Sequence, residues 1–481
     1  MKPQRHAEEA SPVKLDRTIG FLYGIFMQVG MIIGSGIFIS PSGVLRHAGS
    51  VGWALLVWLA CGFLSLLGAL SYAELGTTIR QSGSHYIYLR ETLGTLPAFL
   101  FLWVEFIIVR PSIMAVVFLS MGQYSLEALY SPCDVPRVAV KLLAMVSISF
   151  VVFVNTWSST LSLRVQSCLS VSKLAALASI IGVGVAHVAR GRTEYFENAF
   201  DTADSRPGSL PLAFYSGMFA YSGWASLNAV TEEVKRPERT IPVVICASLA
   251  IVTVAYLLAN AAYCAVLTPS QILDSAAVAQ TFAENTLGNA FSTIVPLCVA
   301  LSCLGGSMGS YFTSPRLFMV ASRQRHWPSI FSMIHVRRRT PCPAMLLLLP
   351  LLLCLMWLGD VHALINYCSG PQWFFVGLVS LGLVYQRVRR PDLPRPFKVP
   401  LAVPALFSCC CLGIVACSVY SSPANLGVGA LITLSGVPVY AACLTARGRS
   451  AWPERVRRRA EWITQELQLL MEVVPQEETN Y

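Results

Sequence analysis

The residues able to do chemistry here sit where polar groups are costly. Gly30-Met31-Ile32-Ile33-Gly34-Ser35-Gly36-Ile37-Phe38 lies inside the first long apolar segment. Two glycines flanking a serine let a helix break locally. Irregular backbone at membrane depth is tolerated only when buried in protein or lining a watery cavity. A second interruption, Phe219-Ala220-Tyr221-Ser222-Gly223-Trp224, stands in the sixth apolar segment. Freed N–H groups at a helix start favour an anion, and freed carbonyls favour an ammonium. Two breaks facing each other would therefore suit a zwitterion such as an amino acid. The competing reading of Gly34 and Gly36 is close packing between helices.

Four further features carry charge or a nucleophile. Lys173 lies in the fifth segment, within Val171-Ser172-Lys173-Leu174. A lysine so deep in a span faces a cavity or a partner, unless it snorkels. Arg110-Pro111 in the third segment is similar: Arg110 borders a cavity or lies nearer the outer surface. Glu232-Glu233 ends the sixth segment beside Lys235 and Arg236, and reads as an inner-surface ion-pair cluster. Gly305-Gly306-Ser307-Met308-Gly309 matches the G-x-S-x-G pattern of a serine hydrolase, but in an apolar helical run rather than at a strand-to-helix turn. Its small residues read as helix packing or pocket wall; an intramembrane serine hydrolase using Ser307 is the reading from another class. The fifteen cysteines fall mostly in apolar runs, and the seven histidines are scattered. Neither shows zinc spacing, so no metal site and no cofactor is expected.

The elements that must position these residues follow from composition. Of 481 residues, 55% are hydrophobic and only 12% charged, against about 25% charged in soluble domains. The chain reads as an all-α integral membrane protein embedded in the lipid bilayer. Twelve transmembrane segments can be drawn: 19–45, 51–74, 95–126, 139–156, 165–189, 209–234, 241–267, 289–314, 343–359, 361–385, 401–420 and 425–446. Residues 1–18 form a cytoplasmic N-terminal tail, 19–446 the transmembrane domain, and 447–481 a cytoplasmic C-terminal tail. The net charge of +10 resides in short loops rather than in a nucleic-acid patch. With both termini cytoplasmic, 27 Lys and Arg fall inside and 6 outside, as the positive-inside rule requires. Met1 to Leu15 lacks the apolar core of a signal peptide. No Asn-x-Ser/Thr sequon occurs, so the chain should carry no N-glycan itself. In the tail, Trp462, Leu467, Leu470 and Val473 fit one face of an amphipathic helix lying on the membrane surface or the protein body.

Ile32-Ile33-Gly34-Ser35-Gly36-Ile37-Phe38, Phe219 to Trp224 and Thr231-Glu232-Glu233 together resemble the L-type amino-acid transporters. So do Arg110-Pro111, Phe312-Thr313-Ser314, Arg316-Leu317-Phe318, Ser332-Met333-Ile334-His335 and Val473-Val474-Pro475-Gln476-Glu477. These are light chains of the heteromeric amino-acid transporters, in the amino acid–polyamine–organocation superfamily. The resemblance implies a five-plus-five inverted-repeat transporter fold with broken helices 1 and 6, working by alternating access. It implies that Ser35 and Gly36 meet a substrate carboxylate. Carbonyls at Ile32, Phe219 and Ser222 would meet the ammonium, the Phe219 ring would gate the site, and Trp224 would shape the pocket. Lys173 matches the family lysine whose charge stands where related carriers hold sodium, which implies sodium-independent exchange. Cys133 matches the cysteine that bonds a single-pass glycoprotein heavy chain; as the one cysteine placed firmly in an outer loop, it independently suggests intermolecular pairing. A plasma-membrane location follows. Ser222 stands where cation-accepting members have Asp, which points to neutral substrates. Ala225, Met308 and Gly370-Pro371-Gln372-Trp373 depart from the large-neutral pattern and suggest an enlarged, apolar pocket for large or aromatic neutral amino acids, resembling the aromatic-preferring branch. A proton-coupled transporter with Lys173 as the titrating group is the alternative within the same class.

Overall fold

Apolar runs in a bilayer satisfy their backbone groups within a helix, and the computed structural model is almost wholly helical. It describes residues 17–34, 36–130, 135–191, 199–200, 210–275, 278–287, 289–358, 361–421, 423–445 and 454–475. The helices are α1 (Phe21–Ile32), α2 (Gly36–Ala48), α3 (Val51–Thr78), α4 (His85–Thr92), α5 (Thr95–Val104) and α6 (Arg110–Tyr130). They continue as α7 (Arg137–Trp157), α8 (Ser159–Ala189), α9 (Leu210–Ala220), α10 (Pro237–Val266), α11 (Pro269–Asp274), α12 (Val278–Leu287) and α13 (Asn289–Arg323). After these come α14 (Cys342–Leu358), α15 (Val361–Arg389), α16 (Ala402–Ser421), α17 (Pro423–Cys443) and α18 (Glu454–Leu470). Two short strands, β1 (Met333–His335) and β2 (Val473–Pro475), pair antiparallel, with Ile334 opposite Val474.

Each of the twelve expected segments falls on one helix or on a pair of successive helices. Among the described residues, six helical stretches are long and apolar enough to cross a membrane alone: Val51–Thr78, Thr95–Leu126, Arg137–Trp157, Ser159–Ala189, Pro237–Val266 and Leu426–Cys443. Phe21–Ile32, Cys342–Trp357 and Ala402–Cys417 are shorter apolar helices. The chain is thus a multi-spanning all-α bundle. Phe63, Phe150 and Leu431 are exposed on its outside, as expected of side chains that meet lipid rather than water.

The packing builds a centre and a frame. α1 lies among α8, α10 and α13, while α2 packs against α9. α3 packs along α10, α6 along α13, and α15 along α16. A charged knot ties the frame near the end of α3. The fully buried Glu74 accepts from Arg387 Nε at 2.8 Å and from the backbone N–H of Val399 at 2.9 Å, with Arg395 at 3.6 Å. A buried carboxylate holds its charge only with such partners. The knot fixes the 390–399 loop against a helix more than three hundred residues earlier in the chain.

Candidate functional site

Both interruptions exist as breaks in helical backbone. α1 stops at Ile32, Ile33 is extended, and helix resumes at Gly36. α9 stops at Ala220, a turn runs through Tyr221–Ala225, and a 3₁₀ stretch continues over Ser226–Glu233. Gly223 has φ +98°, where a side chain is strained, and an added Cβ would lie 2.9 Å from the Met31 carbonyl. The two breaks therefore touch, and glycine is what lets them.

A helix that ends inside protein leaves carbonyls needing partners, and those of α1 are claimed one by one. Lys173 Nζ from α8 donates to Gly30 O at 2.9 Å and Ile33 O at 2.8 Å. The Tyr256 hydroxyl from α10 lies 3.0 Å from Ile32 O and 3.1 Å from Ala220 O, so it sits between the ends of α1 and α9. Ser302 from α13 donates to Gly34 O at 3.3 Å, and Ser170 reaches Phe26 O at 3.1 Å. Three helices thus hold the broken end of a fourth. The glycine-rich stretch of α13 makes room for this. A Cβ on Gly305 would lie 3.0 Å from Lys173 Cε, and Gly306 is near both Gly30 O and Lys173 Nζ. The G-x-S-x-G match lies wholly within α13, where its small residues serve helix packing.

Gln28, fully buried in α1, holds the other break. Its amide donates to Trp224 O, and its Oε1 accepts from Ser226 Oγ at 3.0 Å and the Leu227 N–H at 3.3 Å. Sequence reasoning passed over Gln28. The signal was there, since an amide among Phe26, Met27 and Val29 in an apolar run must find buried partners.

Beside the breaks lies a cavity of about 130 Å³, lined by Met31, Ser222, Trp224 and Ala225 from the two breaks. Arg110, Phe101, Gln372 and Trp373 line another side, and Ser84, His85, Thr313 and Ser314 a third. Arg110 owes its position to its neighbours. Pro111 has no N–H to give, and the backbone before it is a π-helical turn over Glu105–Val109. The Arg110 N–H bonds back to Glu105 O, five residues earlier, which brings the two residues to the same face, and they form an ion pair. The Arg110 Nε has no protein partner, although it is buried. Arg110 therefore borders the cavity, which decides between the two expectations for it. His85 is placed by the loop before it. The Gly83 N–H donates to Ala229 O at 3.2 Å, and Ser82 exchanges hydrogen bonds with Glu232. The imidazole stacks on Phe101 with centroids 5.3 Å apart. Trp224 is braced edge-on by Tyr72, with ring centroids 4.9 Å apart.

Of the expected binding residues, Ser222, Trp224 and Ala225 line this cavity, while Ile32, Gly36 and Phe219 do not. Ile32 is buried with its carbonyl against Tyr256. Gly36 opens α2, and a Cβ there would sit 2.6 Å from Ala220 Cα. Phe219 is 41% exposed on α9. Ser35 and Cys133 lie outside the described residues. Met308 is buried away from the cavity, with the Asn155 amide 3.1 Å from its sulfur, whereas Gln372 borders it. Among the described residues no cluster of three or more His, Cys, Asp or Glu could hold a metal.

The glutamate pair meets different partners from those expected. Glu233 pairs with Arg316 and Glu232 with Arg323, both from α13, rather than with Lys235 and Arg236. α13 runs on to Arg323, so Arg316 lies within a helix and is fully buried, not in an inner loop. Its guanidinium also stacks 3.6 Å over the Phe312 ring.

Amino acid permeases match this chain over residues 19–443. The cystine/glutamate transporter of Homo sapiens is 50% identical over 466 residues, covering 97% of this chain and 92% of the relative. This chain belongs to the amino acid permease family. The b(0,+)-type amino acid transporter 1 of Mus musculus is 42% identical over 473 residues, covering 98% of this permease and 96% of the relative. The large neutral amino acids transporter small subunit 2 of Homo sapiens is 42% identical over 433 residues, covering 89% and 80%. The permease is thus an amino-acid transporter of the light-chain group, not an enzyme.

Proposed function

We propose that this permease is the light chain of a heteromeric, sodium-independent amino-acid exchanger. It alternates access around a midplane site between two inverted five-helix repeats, in a twelve-span fold with broken helices 1 and 6. Both termini are cytoplasmic and the complex works at the plasma membrane. The observation that carries this reading is the buried Lys173 ammonium on the carbonyls of Gly30 and Ile33. A fixed cation there does what a bound sodium ion would otherwise do for carbonyls freed at a break. The substrate carboxylate meets the N-terminal end of α2 at Ser35 and Gly36, its ammonium meets carbonyls at Ile32, Phe219 and Ser222, and Phe219 gates the site.

The side-chain end of the substrate faces Arg110, His85 and Gln372. Arg110 has an unclaimed Nε beside its ion pair with Glu105, and guanidinium is well suited to a carboxylate. That wall fits side chains ending in a carboxylate or in the second amino-acid head of cystine, the substrates that name the relatives at 50% identity. A second reading, large or aromatic neutral substrates, draws support from the apolar part of the same wall: Met31, Phe101, Trp224, Leu317 and Trp373. A competition panel in proteoliposomes separates them. Cystine or glutamate should displace labelled substrate better than leucine or phenylalanine, with choline replacing sodium at no cost. Arg110→Gln should weaken the acidic competitors by about tenfold or more, the worth of a charge-assisted hydrogen bond, and leave neutral ones little changed. Competition by phenylalanine alone would establish the second reading. Sodium-driven uptake without exchange would remove the exchanger.

Cys133 bonds the glycoprotein heavy chain, which carries the glycans that this chain lacks. On a non-reducing gel of co-expressed chains, Cys133→Ser should abolish the high-mass band; an unchanged band would rule this pairing out.

A further inference from the structure

α18 has two unlike faces. Leu467 and Met471 pack against the hydrophobic core, and Thr464 and Gln468 on the same side are half-buried. Away from that side Trp462 is 59%, Leu469 76% and Leu470 79% exposed, with Ile463 and the exposed Glu466 among them. The one-face expectation thus fails in a specific way. The helix ends at Leu470, Val473 turns inward as part of β2, and Trp462 and Leu470 stay exposed while Leu467 packs inward. Arg455, Arg458 and Arg459 are exposed near the start of this helix, and Arg337 and Arg338 on the turn after β1.

Where this face lies is fixed at its C-terminal end. β2 pairs with β1, and the turn after β1 is tied to the end of α7, a membrane-crossing helix by length and apolarity. Thr340 Oγ1 donates to Thr156 O at 2.9 Å, and the Arg338 guanidinium lies 4.2 Å from the Trp157 ring centroid. Trp157 is itself half exposed, as a tryptophan at a membrane interface is. The start of α18 follows α17 by only ten residues, at most about 35 Å of extended chain. The helix is therefore held at the level of the bilayer edge, with an apolar face flanked by arginines.

We propose that this outer face of α18 seats on the anionic cytoplasmic leaflet, with Trp462, Ile463, Leu469 and Leu470 among the acyl chains and Arg455 and Arg459 on acidic headgroups, while Arg458 pairs with Glu454 at 2.6 Å. This rests on the cytoplasmic placement of the tail proposed above. Exposed apolar side chains and juxtamembrane arginines act together on such a surface. Glu461 and Glu466 are also exposed on this helix. It is therefore the place of the face beside a membrane-crossing helix, with Arg337, Arg338, Arg455 and Arg459 exposed around it, that favours acidic lipid over a protein partner.

Hydrogen exchange on the full chain in nanodiscs tests it. Both leaflets of a disc carry the same lipid, so the result is independent of which side the tail occupies in cells. Protease access to the tail in sealed cells tests that placement separately. Replacing part of the phosphatidylcholine with phosphatidylserine should slow exchange over residues 454–470 by about tenfold, and high salt should reverse the slowing. The triple change Trp462→Ser, Leu469→Ser, Leu470→Ser should remove the slowing while β1 and β2 stay protected. Arg455→Gln with Arg459→Gln, which leaves the apolar face intact, should weaken it. Equal exchange in neutral and acidic discs, as a protein-binding face would give, would overturn the proposal. So would protection that survives both sets of changes.

Discussion

Lys173→Ala is expected to abolish most exchange while the protein still reaches the membrane. The substitution strips donors from Gly30 O and Ile33 O, both inside the bundle. A buried carbonyl without a partner costs about 1–3 kcal/mol, so the end of α1 would re-form its bonds elsewhere and carry the Met31 wall with it. Initial rates in proteoliposomes should fall by at least about tenfold. Lys173→Arg is not expected to rescue, because the ammonium sits on two carbonyls in a buried site where only glycine at 305 leaves room beside it, and a guanidinium is larger. If the ammonium does stand in for sodium, high sodium should restore part of the rate in Lys173→Ala and none in the parent. Exchange unchanged by Lys173→Ala would remove the lysine from the mechanism.

Arg316→Met should be strongly destabilising. Arg316 and Glu233 are both buried, joined by an Nη2–Oε2 bond of 3.0 Å and a second through Nε. Removing one partner strands the other charge, at a cost of about 3–5 kcal/mol. The expected result is a sharply lower melting temperature in detergent and little protein at the surface. Arg316→Met combined with Glu233→Leu should recover much of the loss, because an apolar pair leaves no charge stranded. A double variant no better than the single one would show that the pair matters for the geometry of the 3₁₀ stretch rather than for charge balance.

Much of the scaffold was legible because it is local. Apolar length marks helices, and glycine inside such a length marks a break, so Gly34–Gly36 and Phe219–Trp224 stood out before any fold was known. Lys173 was legible for the same reason: a charge in an apolar run demands a partner. The partners themselves were not legible. Nothing in sequence brings Glu74 to Arg387, or Glu233 to Arg316 in preference to the adjacent Lys235, because those choices are made by helix packing. Arg110 could not be placed because its direction depends on a π-helical turn of five residues, and a regular helix would point it elsewhere. His85 looked like one scattered histidine until the 82–85 loop folded back against Ala229. In the tail, periodicity carried one turn too far put Val473 on a helix that had already ended.

One consequence of Tyr256 is a matter of counting. Its hydroxyl lies within hydrogen-bonding range of both Ile32 O and Ala220 O, yet a phenol has a single proton to donate. At any instant one of the two carbonyls is served and the other keeps a lone pair in want of a donor. The two half-helices therefore compete for one proton, and the carbonyl left without it is open to another donor. A donor arriving at either carbonyl releases the proton to the other, so an event at the end of α1 is registered at the end of α9 without either helix having to move.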